Sequence, residues 1–477
     1  MMRSVVVALL LCWIGAPLAA QHPDHGRLTP RERAARMARE RAASAADRAQ
    51  MLRQLGIQPP DSLPPPAADP NRPPGLTQRP GSSSWYDAAG NLYRRSEWGH
   101  WSNYETARAG GDRARPDPLV RASGDRITTA PAWWIARRPE ILRDVVLDLY
   151  GRIPSTPAVR FAVTRIDSTT YAGQAVVQTV TGHIDNAAYP AATPRIELTM
   201  YLPPKRAGRV PVVVRLGGFG GIGTALPDPI ARTLALGWAF ASVNPGAIQP
   251  DDGAGLATQG IIGLVNRGHP RKPDDWGALA AWSWGLSRVL DYLETDPAVD
   301  ATRAAIQGHS RWGKAALLAG ALDIRWAIVF ASCSGAMGAS IEKRDWGESI
   351  DDVAGTSEYH WMAGNFLRYA GHWTAMPVDA HELIALVAPR PVFISAGATD
   401  QWADPRGEFL AVLGADPVYW LLGARGLRTT TMPAPGVPLT EGALAFFEHV
   451  GGHTDAPDFP VFLQWASRYF HAPPGAP

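Results

Sequence analysis

One short stretch, Gly308-His309-Ser310-Arg311-Trp312-Gly313-Lys314, constrains the fold of this chain more than any other. It follows the run Arg303-Ala304-Ala305-Ile306-Gln307 and precedes the helix-forming run Ala315 to Gly320, so strand, tight turn and helix meet at one serine. In that context a serine sits on a sharp turn with its hydroxyl exposed above a sheet. The spacing departs from Gly-x-Ser-x-Gly, because the second glycine falls one residue late and gives Gly-x-Ser-x-x-Gly.

The chain around the elbow has the matching pattern. Arg195–Leu202, Val210–Leu216, Trp238–Val243, Trp326–Ala331 and Pro391–Ala396 read as short strands, and Trp276–Leu293 as a long amphipathic helix. Apolar strands alternating with helices predict a mainly parallel sheet covered on both faces. Period-two alternation at about 159–166 and 175–183 adds antiparallel strands at one edge. The predicted fold class is therefore α/β, an α/β-hydrolase fold: a three-layer αβα sandwich with antiparallel N-terminal edge strands.

Upstream of this region the composition changes. Residues 1–20 hold Arg3, an apolar run from Val5 to Ile14 and the small residues Gly15 to Ala20, the pattern of a secretory signal peptide cut after Ala19 or Ala20. The run is too short to span a bilayer, so an exported protein, periplasmic or secreted, is expected, without a membrane segment once the signal is removed. Residues 21–83 read as a helical and proline-rich extension. Thr29, Pro30 and Glu32 form a capping-box start and Gly56 a stop, with a thin apolar face of Met37, Met51, Leu52 and Leu55. The catalytic domain is assigned to 84–477, with its core at about 120–472.

Of the two cysteines, Cys12 lies in the signal peptide, which leaves Cys333 without an internal disulfide partner. A net charge of +2 with no basic stripe excludes nucleic acid as a partner, and a monomer is expected. The 18 tryptophans exceed what packing alone calls for and raise a carbohydrate ligand, since exposed rings stack on sugar faces.

A serine hydrolase needs a base for the serine and a carboxylate to orient that base, in the chain order Ser, acid, His for this fold. Ser310 comes first. The strand Val392–Ala396 leads through Gly397 to Asp400, with Asp404 and Glu408 nearby as rival carboxylates, and Gly451-Gly452-His453-Thr454 lies in a loop between two C-terminal helical runs. Ser310, Asp400 and His453 are thus the candidate triad. The backbone N–H of Arg311 and the Gly217–Gly221 segment are candidate oxyanion donors, with the Arg311 side chain adding positive charge.

These residues resemble the glucuronoyl esterases, carbohydrate esterase family fifteen, over roughly 120–472. The resemblance is carried by the extended elbow, by Asp275-Trp276-Gly277-Ala278-Leu279 with Trp282-Ser283-Trp284-Gly285, and by Ser334-Gly335 through Gly347-Glu348. It continues in His381 through Pro391, in Asp400-Gln401-Trp402-Ala403-Asp404-Pro405 and in Gly452-His453-Thr454. It implies hydrolysis of the ester between (4-O-methyl-)glucuronic acid on glucuronoxylan and lignin alcohols, with no metal and no cofactor. By motif position it implies that Lys314 and Glu348 hydrogen-bond the sugar hydroxyls, that Trp402 shapes the same pocket and that Arg311 assists the oxyanion.

Many members place the triad acid in a run like Ser-x-Glu-Ser-Gly. Here Ala331-Ser332-Cys333-Ser334-Gly335 puts a thiol at that point, so the acid is assigned to Asp400, as in other members, and Cys333 is read as a buried apolar thiol. Competing readings remain at this stage: Lys314 on a solvated helix face, Glu348 in a structural ion pair with Arg344, another exported carbohydrate esterase such as an acetyl xylan esterase, or a non-catalytic saccharide-binding homologue.

Overall fold

The computed structural model describes residues 29–60, 63–79, 84–110, 115–219 and 225–470. The expected signal peptide and Cys12 lie outside the described residues, as do Gly220 and Gly221. The chain divides into two compact units between Arg39 and Glu40, and the site lies wholly within Glu40–Pro477.

A nine-stranded sheet organises this unit. In chain order its strands are β1 (Val159–Asp167), β2 (Val176–Ile184), β3 (Arg195–Leu202), β4 (Val210–Leu216), β5 (Ala239–Val243), β6 (Val299–His309), β7 (Ile328–Ser332), β8 (Val392–Gly397) and β9 (Leu444–His449). Their spatial order is β9-β8-β7-β6-β4-β5-β3-β2-β1. The ladders from β9 to β5 are parallel, and β3, β2 and β1 add antiparallel at the edge; the alternating pattern predicts this for β1 and β2, and β3 joins them.

Period two assigns each face of the central strands. Val212, Val214, Ile306, Val329, Ile394 and Phe446 pack with one set of helices. These are α2 (Ala278–Thr295), α3 (Arg311–Leu322) and α4 (Pro405–Leu421). Val213, Phe240, Ala305, Phe330, Phe393 and Phe447 face the other way and meet α5 (Asp458–Phe470) with Ile230 and Leu234 of the helix Asp228–Ala235. Burial on both faces is why these strands are apolar throughout. A third of the 18 tryptophans serve this packing: Trp133, Trp238, Trp276, Trp282, Trp326 and Trp465 are fully buried.

One element differs from the sequence reading. The run before the Gly451-Gly452 loop is the strand β9, not a helix. Leu444 to Phe447 is a short, continuous apolar run, and such a run looks the same whether it is a buried strand or a buried helix.

Ahead of the large sheet, α1 covers Pro30–Leu55. Its capping box is present: the Thr29 hydroxyl accepts from the Glu32 N–H at 3.2 Å, and Glu32 accepts from the Thr29 N–H at 2.8 Å. Gly56, at φ 67°, lets the chain turn out of the helix. Of the thin apolar face, Met51 and Leu52 are buried and Met37 is exposed. A small antiparallel sheet of Thr77–Gln78, Trp85–Tyr86 and Leu92–Tyr93 follows.

Candidate active site

The elbow is built as its glycines require. Ser310 joins β6 to α3 at φ 59°, ψ −134°, a conformation that costs an ordinary residue about 1–3 kcal/mol. Its N–H donates to the Ser332 carbonyl at 2.8 Å, which ties the turn to the end of β7. A Cβ at Gly308 would stand 2.0 Å from the Trp312 carbonyl oxygen, so no side chain fits there. The late glycine, Gly313, lies where a Cβ would come within 3.1 Å of the Gly308 carbonyl and of Ser334.

Ser310, Asp400 and His453 line one cleft of about 300 Å³. The His453 ring meets the Asp400 carboxylate through Nδ1 and Oδ2 at 2.7 Å; the imidazole is half exposed and the carboxylate buried. The rival acids are engaged elsewhere. Asp404 accepts from Arg344 at 3.0 Å. Glu408 accepts from the N–H groups of Ser334 and Gly335 at 2.6 and 3.0 Å, and burial pushes its pKa well above the usual carboxylate range.

The loop that carries His453 is pinned on both sides. Downstream, Asp455 accepts from Gln307 of β6 at 2.9 Å and from Arg215 of β4. Upstream, His449 is hydrogen-bonded to Asp458 through Nδ1 at 2.9 Å and to the Gly452 carbonyl through Nε2 at 3.0 Å. His309, beside the serine, lies 4.4 Å from the His453 ring, centroid to centroid. Burial lowers the His309 pKa to about 4, and the nearby His453 and Arg215 charges act in the same direction.

The other predicted residues surround the same cleft. Lys314 is buried rather than on a solvated face: its Nζ donates to Glu348 at 2.6 Å and to the Ala336 carbonyl. Glu348 therefore pairs with Lys314 and not with Arg344, whose partner is Asp404. Trp402 lines the cleft beside them. The Arg311 guanidinium is held by Asp251 at 2.7 Å and lies over the Trp361 ring. Burial opposes the charge on Asp251, but His360, Arg311 and Trp361 together hold its pKa well below the usual range. The Arg311 amide opens α3, where helical N–H groups have no partner within the helix.

Of the predicted glycine donors, Gly217 gives its N–H to the Val243 carbonyl at 2.8 Å, so that amide serves the sheet instead of the cleft. Cys333 is buried at the cleft floor, and burial raises its thiol pKa well above the ordinary range.

Sequence reasoning missed four lining residues: Leu92, Arg94, Glu358 and Trp361. Arg94 stacks over Trp402 at 4.7 Å and pairs with Glu358 at 2.8 Å. The Glu358 Oε2 atom is buried and has no hydrogen-bond partner among the described residues, an acceptor able to take a ligand hydroxyl.

Comparison with known proteins gives the family. Residues 190–423 match the family model described as "Glucuronyl esterase, fungi". The chain is 32% identical to "Carbohydrate esterase MZ0003" from an unknown prokaryotic organism over 395 residues, covering 74% of this chain and 89% of that protein. The chain belongs to carbohydrate esterase family fifteen. A solved glucuronoyl esterase of this family, from Teredinibacter turnerae T7901, superposes with a TM-score of 0.76 at 36% identity, over 89% of this chain and 99% of that one. The 4-O-methyl-glucuronoyl methylesterase of Thermothelomyces thermophilus is 28% identical over 71% of this chain and 75% of its own length.

Proposed function

We propose that this family member is a serine carboxylesterase that hydrolyses the ester between (4-O-methyl-)glucuronic acid of glucuronoxylan and lignin alcohols. The observation that carries this reading is one cleft holding a strained serine, a His–Asp pair and a buried Lys–Glu pair.

Ser310 Oγ attacks the ester carbonyl while His453 Nε2 takes its proton, and Asp400 holds the ring through Nδ1. The Arg311 amide, with the guanidinium fixed beside it by Asp251, stabilises the oxyanion. The tetrahedral intermediate collapses, and the alcohol leaves with the proton from His453. Water, deprotonated by the same imidazole, then releases the free uronic acid from Ser310.

Lys314 and Glu348 hydrogen-bond the sugar hydroxyls as charged partners, which form the stronger kind of hydrogen bond. Trp402 offers a ring edge and face beside them, and Glu358 adds a further acceptor. An acetyl ester presents no carboxylated sugar to these groups.

The test is hydrolysis of benzyl glucuronate by the wild type and by Ser310→Ala, set against release of acetate from acetylated xylan. Turnover of the glucuronate that is lost in the variant supports the reading. Faster acetate release points to the acetyl esterase alternative, and binding without turnover to a saccharide-binding homologue. The apolar N-terminal run ahead of Ala20 supports export of this enzyme by signal peptide. Among the described residues, no helix is long and apolar enough to cross a membrane.

A further inference from the structure

Three ligating side chains converge in the ester cleft. One ligand atom from each of Cys333, Asp400 and His453 lies within 4.8 Å of the other two. Asp400 and His453 belong to the proposed relay; the thiol has no part in it.

The set matches the donors preferred by a thiophilic cation. Tetrahedral zinc takes thiolate sulfur at about 2.3 Å and imidazole nitrogen or carboxylate oxygen at about 2.0–2.2 Å, so donors around one ion stand about 3–4 Å apart. Closing from 4.8 Å to that spacing needs side-chain movement of about an ångström. The His453 side chain is half exposed. Cys333 is fixed from behind: its N–H donates to the Ser395 carbonyl at 2.7 Å, and its φ of 44° marks a sharp bend at the end of β7. The residue lines the cleft, and its thiol lies 3.7 Å from the carbonyl of Thr454, the residue after His453. Three protein ligands with one open position is also the coordination that zinc keeps at accessible sites.

We propose that a thiophilic divalent cation, Zn²⁺ or Cd²⁺, binds Cys333, Asp400 and His453 and reversibly blocks the esterase. This regulation rests on the esterase reading given above. On binding, the thiol releases its proton to solvent and its sulfur bonds the ion. The His453 ring turns from its hydrogen bond with Asp400 to coordinate, and water fills the remaining position. No base is then left for Ser310. The thiolate also sets the selectivity, because soft donors favour zinc and cadmium over the oxygen-seeking magnesium and calcium.

The test begins with benzyl glucuronate turnover by the metal-free wild type and Cys333→Ala, each titrated with Zn²⁺ and then treated with a chelator. Loss of even an outer partner costs metal sites about 10–100-fold in affinity, so removing a direct ligand should raise the half-inhibiting Zn²⁺ concentration by at least about tenfold. Chelator should restore the wild type, and Mg²⁺ should inhibit neither form. A second readout does not use turnover: Cd²⁺ added to Ser310→Ala should give a thiolate charge-transfer band that is absent from Ser310→Ala/Cys333→Ala. Cys333→Ser serves in place of the alanine variant should that one fail to fold. Equal zinc sensitivity with and without the thiol, or no cadmium band, overturns the proposal. A metal-free wild type that turns over no glucuronate ester overturns the esterase reading instead, and the cadmium arm still reports on the site.

Discussion

Asp404 is bound to Arg344 at 3.0 Å, in a pair with both side chains buried. The carboxylate that meets His453 is its near neighbour, Asp400. The two aspartates, four positions apart, should therefore fail differently. Asp400→Ala is expected to lower kcat on benzyl glucuronate by roughly 10^4 while the protein stays folded. Asp404→Ala removes a buried, charge-assisted hydrogen bond from Arg344 and should cost about 1.5–3 kcal/mol of stability, with the chemistry largely kept in the molecules that fold. Steady-state rates beside urea unfolding separate the two, and equal, mild losses of rate would refute the assignment.

Lys314 and Glu348 form the second buried pair. Lys314→Met leaves Glu348 charged and unpaired, and should destabilise by about 3–5 kcal/mol. Adding Glu348→Leu should recover much of that stability, since replacing both partners by apolar groups is often near neutral. It should not recover glucuronate turnover. Thermal melting and kcat/KM on the same two proteins make the comparison.

Gly308→Ala should not give a folded enzyme. The new methyl would meet the Trp312 carbonyl at 2.0 Å, and that backbone cannot retreat without opening the elbow. Soluble yield and circular dichroism check this, and a folded, active Gly308→Ala would contradict the described turn.

His309 predicts an acid-sensitive fold. Its folded pKa of about 4 lies below the ordinary 6.5, so between these values the unfolded chain binds more protons than the folded one. Stability then falls as pH drops through 6.5 toward 4, and is unaffected by this group above 6.5. Asp455 and Asp400 pull the other way, while burial, His453 and Arg215 prevail. Denaturant midpoints for wild type and His309→Asn should diverge on acidification, the wild type losing more.

Much of the sheet was legible in the chain. β3 and β4 have the bounds read from the sequence, for different reasons. β3 alternates, with Ile196, Leu198, Met200 and Leu202 buried and the residues between them not. β4 is buried along its whole length and reads as one short stretch of mostly apolar residues. The same uniformity hid β9, since Leu444 to Phe447 has no period with which to choose strand over helix. The Ser310, Asp400 and His453 positions follow from order and local context. The partner of Lys314 does not: Glu348 is 34 residues away and joined to it only by the fold. Leu92 and Arg94 were invisible for another reason, as the two-residue strands around them are too short to leave a pattern.

Leu92 and Arg94 reach the cleft from a segment that precedes the whole nine-stranded sheet. The reactive machinery and part of the rim around it are thus carried by separate stretches of chain. Such a division lets the rim be reshaped, for a bulkier alcohol or a longer saccharide, without disturbing the bend that holds the nucleophile. It also means that a shortened gene starting near residue 120 would encode the chemistry with one wall of its vestibule removed.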